Sequence, residues 1–151
     1  MITLTIRSPE QMETLGAQLS NYLKAGDVVL LEGELGAGKT TFTRGIGEGL
    51  NAKGTVQSPT FVLARTHRTE AGPQLVHVDA YRLGSAVELD DLDIDFERSI
   101  VVIEWPRDFL DSQLASYLKL KIDRTRDDDV REVELSTVGL RWEGVDIAIG
   151  D

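Results

Sequence analysis

A chain of 151 residues has room for one domain of ordinary size, and a hydrophobic content of 41% is enough to bury a core rather than leave the chain disordered. Sixteen Lys and Arg against twenty-six Asp and Glu leave a formal charge of −10, which repels phosphate backbones and anionic lipid and argues against a stand-alone binder of nucleic acid or membrane. With no cysteine and two histidines, disulfides, thiolate nucleophiles and most zinc chemistry are excluded, and the absence of a leader-like or membrane-length apolar run makes the cytoplasm the expected location.

Met1 to Ile6 alternates as a strand does, and Ser8-Pro9 with Gln11 makes a capping box that opens a helix. Met12, Leu15, Leu19, Tyr22 and Leu23 then recur at helical spacing as far as Gly26. Val28 to Leu31 is a continuous apolar run of the kind buried on both faces of a parallel sheet. From Thr40 to Leu50 the spacing of Phe42, Ile46 and Leu50 predicts a helix, although Gly45, Gly47 and Gly49 each weaken one by ~1 kcal/mol. Phe61 to Arg68 and Leu75 to Asp79 flank Glu70-Ala71-Gly72-Pro73 and read as an antiparallel hairpin. Ser85 with Glu88 makes a second capping box, opening a short helix into the stretch Glu88 to Glu97, where six of ten residues are acidic and form a solvated face. Ile100 to Ile103 is a second buried-strand run, stopped by Glu104-Trp105-Pro106. Leu118 to Ile122 and Val130 to Leu135 form a closing hairpin around the charged turn Arg124 to Asp129, and Trp142 follows in an acidic C-terminal segment.

The strongest chemical signal is Gly33-Glu34-Leu35-Gly36-Ala37-Gly38-Lys39-Thr40, a match to G-x-x-x-x-G-K-[ST] between a predicted strand and a predicted helix. Glycines there let successive backbone N–H groups turn inward around a phosphate, and the following helix adds its positive end. With ATP or ADP as the nucleotide, Lys39 is expected to reach the β-phosphate and, in ATP, the γ-phosphate, Thr40 to present its hydroxyl to Mg²⁺, and Thr41 to add a hydroxyl near the α-phosphate. The expected fold class is α/β: a P-loop NTPase-like three-layer fold, with a central parallel sheet, antiparallel edge strands and hairpins, in one domain over residues 1–151.

A metal at such a loop needs a further acidic group, normally at the carboxyl end of a neighbouring parallel strand. Asp79 and Glu104 both end apolar runs. Glu104 is the expected Mg²⁺ partner, directly or through water, and Asp79 the orienter of the attacking water or a second group of the metal's shell; the two roles are interchangeable at this stage. Thr60, in Ser58-Pro59-Thr60, is a candidate switch hydroxyl sensing the γ-phosphate, although such a Ser-Pro-Thr segment is more often only a turn. His77 shares a strand face with Asp79 and reads as a hydrogen-bonded structural residue ahead of a base. Arg82 either stabilises transition-state charge or pairs with the acidic stretch. Trp105, held by Pro106 at a strand's carboxyl end, is expected beside the nucleotide.

Taken with Phe61, Tyr81-Arg82-Leu83 and Pro106, these blocks in this order resemble the bacterial TsaE (YjeE-type) ATPase family from the first helix to about Leu110. The resemblance implies a small ATPase required to form threonylcarbamoyladenosine (t6A) beside the anticodon of tRNAs reading codons that begin with A. It implies the partners TsaD and TsaB, with tRNA engaged through their complex. It places Lys39 and Thr40 on phosphate and Mg²⁺, Glu104 at the metal, Thr60 and Asp79 in the hydrolysis machinery, and Trp105 next to the nucleotide. The competing reading from the same loop is a small-molecule kinase that passes the γ-phosphate to a hydroxyl, although no lid segment or arginine-rich acceptor site is visible in the sequence.

Overall fold

The computed structural model describes residues 1–34, 36–54, 64–70, 72–80, 91–104, 114–127 and 129–149. Leu35, Thr60, Arg82, Trp105 and the Ser85/Glu88 capping box lie outside the described residues. The elements in chain order are β1 (Ile2–Ile6), α1 (Pro9–Ser20), β2 (Val28–Gly33), α2 (Lys39–Gly49), β3 (Ala64–His67), β4 (Gln74–Asp79), β5 (Ser99–Glu104), β6 (Tyr117–Arg124) and β7 (Arg131–Val138), followed by a single 3-10 turn at Leu140–Trp142. Their strands form one sheet in the order β1-β7-β6-β2-β5-β4-β3. The four central strands β6, β2, β5 and β4 run parallel; β3 on one side and β7 on the other run antiparallel to them, and β1 pairs antiparallel with β7 at the edge. The apolar runs of β2 and β5 sit at or next to the centre because both their faces are covered: Val29, Leu30, Leu31 and Ile100 to Ile103 have no exposed surface.

Both described helices lie on one face. Met12, Leu15 and Leu19 of α1 and Phe42 and Ile46 of α2 share a core with Val29, Leu31, Val102, Leu118, Leu120 and Val133. On the opposite face Val28, Leu30, Val76, Val78, Val101 and Ile103 are covered, among the described residues, by Leu92, Ile94, Phe96 and Leu114. The acidic side chains of this stretch face solvent, as their charge predicts, but the residues between them do not. Asp91 is helical and residues 92–98 are not, while the start of that short helix lies outside the described residues; Asp91, Asp93, Asp95 and Glu97 are exposed and the intervening Leu92, Ile94 and Phe96 are half-buried on the sheet, an alternation of period two.

Helix α1 begins as its sequence predicts, with Ser8 Oγ accepting the Gln11 N–H at 3.1 Å and Pro9 in the first turn. The Gln11 side chain reaches the N–H of Arg7, one residue before the cap, at 2.7 Å. The helix stops at Ser20 rather than continuing to Gly26, because the N–H groups of Asn21, Tyr22 and Leu23 reach back three residues instead of four. The glycines that weaken α2 in isolation have a packing role: a Cβ on Gly45 would overlap the Glu13 carbonyl, and one on Gly16 would overlap that of Phe42. The two helix backbones touch at these points, and only glycine lets them. No helix among the described residues is long and apolar enough to cross a membrane.

Candidate functional site

The loop from Gly33 to Gly38 joins the carboxyl end of the central strand β2 to the start of α2. Gly38 holds φ at +114°, a conformation L side chains rarely adopt, and it caps α2 without offering any side-chain acceptor. The two helices therefore begin differently. Ser8 caps the N-terminus of α1 with its side chain, whereas Gly38 gives α2 no side-chain cap, the kind of helix start at which an anion can be received. Lys39 opens this helix with 5% of its surface exposed. Its ammonium donates to the carbonyls of Gly33 and, at 3.2 Å, Glu34, folding back over its own loop. Thr43 Oγ1 donates to the Lys39 carbonyl at 2.9 Å and secures the first turn. Burial pushes the Lys39 pKa below its ordinary value, and the negative charges of Glu104 and Asp79 partly restore it.

Those two carboxylates are brought to the loop by strand register. Asp79 on β4 is directly opposite Glu104 on β5, and Glu104 is opposite Leu31 on β2, two residues before the loop begins. Side chains alternate along each strand, so His77, Asp79 and Glu104 share the helix-bearing face with Leu75, Ile100 and Val102. Glu104 is buried, and its Oε2 lies 2.8 Å from Nε2 of the fully buried His77. A carboxylate can only accept, so the imidazole donates through Nε2. His77 Nδ1 has no hydrogen-bond partner among the described residues.

On the other side of the loop a cleft of about 170 Å³ is lined by Ser8, Pro9, Met12, Thr41, Asp129 and Arg131 together with the backbone of Gly36 to Gly38. Arg131 forms its edge: Nε donates to the Ala37 carbonyl at 3.1 Å and Nη2 to that of Gly36 at 3.5 Å. The structure thus brings the loop residues Gly33, Glu34, Gly36, Ala37 and Gly38 and the first turn of α2, Lys39, Thr40 and Thr41, to the carboxyl end of the parallel strands that end in Asp79 and Glu104, with Lys39 near enough to both to feel their charge. Sequence reasoning overlooked Ser8, which it treated only as a cap, together with Met12, Asp129 and Arg131. Nothing local marks Arg131, whose contact with Ala37 spans 94 residues.

Comparison with known proteins agrees in its coverage. The family described as "Threonylcarbamoyl adenosine biosynthesis protein TsaE" matches residues 6–133. Proteins named "tRNA threonylcarbamoyladenosine biosynthesis protein TsaE" are similar over most of the chain. That of Streptomyces coelicolor is 48% identical, with 91% of this chain and 98% of the relative covered. That of Mycobacterium tuberculosis is 43% identical (85% and 83% covered), and that of Bacillus subtilis 37% (90% and 85%). Among solved structures, that of Bacillus subtilis YdiB superposes with a TM-score of 0.75 at 34% identity, covering 94% of this chain and 88% of its own.

Proposed function

The chain belongs to the TsaE family, and from that premise we propose that it is a Mg²⁺-dependent ATPase of P-loop NTPase-like fold that serves t6A formation on tRNA in the cytoplasm, working with TsaD and TsaB. One observation carries the reading: an uncapped helix N-terminus and a buried lysine stand against two carboxylates at the ends of adjacent parallel strands. In this reading the backbone of Gly33 to Gly38 cradles the phosphates, Lys39 leaves its loop carbonyls for the β- and γ-phosphate oxygens, and Thr41 faces the α-phosphate. The cleft beside Ser8, Met12 and Arg131 takes the nucleoside end.

The donor set suits a hard divalent cation, since Thr40 and Glu104 offer oxygen only. Among the described residues no three His, Cys, Asp or Glu side chains converge as a metal cage, so the remaining ligands would be phosphate oxygens and water. When bound, Mg²⁺ would offset the charge that develops on the phosphates. Glu104, on the strand adjacent to β2, is the nearer carboxylate to the loop and is assigned to the metal's shell; Asp79, one strand further out, orients the attacking water. Thr60, Leu35 and Trp105 complete the proposed site from outside the described residues.

Nucleotide titration and phosphate release with and without Mg²⁺, repeated with TsaD, TsaB and tRNA present, test the proposal. Expected are Mg²⁺-dependent binding, slow hydrolysis by the chain alone and faster hydrolysis in the assembly. Absence of Mg²⁺-dependent nucleotide binding refutes it, and label arriving on a small-molecule hydroxyl instead of as free phosphate identifies a kinase.

A further inference from the structure

The pairing of His77 with Glu104 belongs to neither the loop nor the hydrolytic step, yet it is a buried polar contact at this end of the sheet. Resting on the assignment of Glu104 to the metal's shell, we propose that His77 is a positioning residue: it pins Glu104 Oε2 and leaves Oε1 as the oxygen that meets a bound cation or its water. Glu104 makes no other hydrogen bond among the described residues. Its charge lies near enough to Lys39 to raise that residue's pKa. An unanchored glutamate side chain has rotatable bonds enough to swing toward the ammonium while the phosphate site is vacant, and that collapse would have to be reversed on each binding event.

The imidazole answers this constraint in a way other donors would not. A buried carboxylate needs a hydrogen bond to offset its desolvation. Arg or Lys at position 77 would supply one but would also cancel the charge intended for the cation. An imidazole donates to the carboxylate through Nε2 without being, as they are, a permanent cation. The β4–β5 register fixes the geometry, because His77 is opposite Val102, two residues before Glu104 on the same face. Groups that orient a metal ligand in this fashion typically change metal affinity by about 10- to 100-fold when removed.

The test compares ADP affinity in Mg²⁺ and in EDTA for the wild-type chain and for His77→Leu, His77→Gln and Glu104→Gln. The ratio of the two dissociation constants should fall about tenfold or more in His77→Leu, with metal-free affinity changing far less. His77→Gln, whose amide nitrogen reaches the place of Nε2, should recover most of the ratio. A second measurement needs no His77 variant: imidazole ¹⁵N resonances of the metal-free wild-type protein should show the proton on Nε2. An unchanged ratio in His77→Leu, equal losses in Mg²⁺ and EDTA, failure of glutamine to rescue, or a proton on Nδ1 with Nε2 bare would each overturn the proposal. If Glu104→Gln retains the full Mg²⁺ response, the metal assignment itself fails and this inference with it. If Glu104→Gln loses the response while His77→Leu keeps it, the functional reading stands and only the role of His77 falls.

Discussion

Just before β2, Asp27 is closed off on every side. Its carboxylate, almost fully buried, accepts from Arg141 Nε at 2.8 Å, from Arg141 Nη2 at 3.0 Å and from the Lys24 N–H at 2.8 Å. Arg141 also donates to the Tyr22 carbonyl at 2.8 Å and stacks on Trp142, 4.1 Å from the ring centre. At the other end of the strand the charges are arranged differently. Glu104 is held through one oxygen by an imidazole, and the pKa of Lys39 is lowered because burial outweighs the neighbouring carboxylates. The contrast separates two uses of buried charge. A bidentate arginine–carboxylate pair with both oxygens engaged has nothing left for a ligand and ties the C-terminal segment to the sheet. At the other end, burial disfavours the Lys39 cation, and in the proposed function an anionic ligand with its cation would offset that cost.

The largest effect should come from opening the closed end. Arg141→Ala leaves Asp27 buried without its partner and should cost about 3 kcal/mol, the low end for a broken buried pair, in urea unfolding. Nucleotide affinity of the folded protein should stay within about twofold, and a larger loss would erase the distinction between the two ends. Lys39→Ala should do the reverse. Removal of its charge-assisted contacts predicts a 30- to 100-fold weaker ATP affinity by fluorescent-nucleotide titration, roughly 2 to 3 kcal/mol, with stability within about 1 kcal/mol of the parent. Loss of stability without loss of binding would make Lys39 a second structural clamp.

Gly45→Ala should cost about 1 to 2 kcal/mol, because α1 and α2 must move apart to admit the methyl group. Ser8 and Met12 at the cleft travel with α1, so ATP affinity should fall severalfold too; a pure stability effect would uncouple the helix contact from the site. The smallest signal is in pH. Since the folded pKa of Lys39 lies below 10.5, the unfolded chain holds more protons between that lowered value and 10.5, and the group's contribution to stability rises with pH across this window. Below the window the cost of burying the cation is fully present. The wild-type minus Lys39→Met difference in urea midpoint should therefore rise on the alkaline side while ATP affinity of the wild type falls as the cation is lost; a flat difference would mean that Lys39 bears no burial cost.

Several features needed only neighbouring residues to be read. The phosphate-loop pattern, the Ser8 cap, the buried runs of β2 and β5 and both hairpins each rest on residues within a turn or a strand of one another. The glycines of α2 were legible as a weakness, but their reason lies on α1. Trp142 stood in an acidic segment by composition, yet it is buried in the main core at the Asp27 end of β2. Residues 92–97 carried enough charge to read as a solvated face, and their acidic side chains are exposed, but that Leu92, Ile94 and Phe96 lie on the sheet was not legible from charge alone.

By itself the sequence determined what depends on periodicity and backbone chemistry: alternating strands and helices, a parallel centre, and a glycine-rich loop before Lys39 and Thr40 suited to phosphate. The tertiary structure alone decided which distant side chains meet. Strand register set Asp79 opposite Glu104 and turned His77 toward it, and the return of the chain after β7 carried Arg141 to Asp27, 114 residues away. The physical reason is one of range. Hydrophobic period and turn geometry act over a few residues, whereas a hydrogen bond between strands is selected by the packing of the whole sheet, and no local pattern records it.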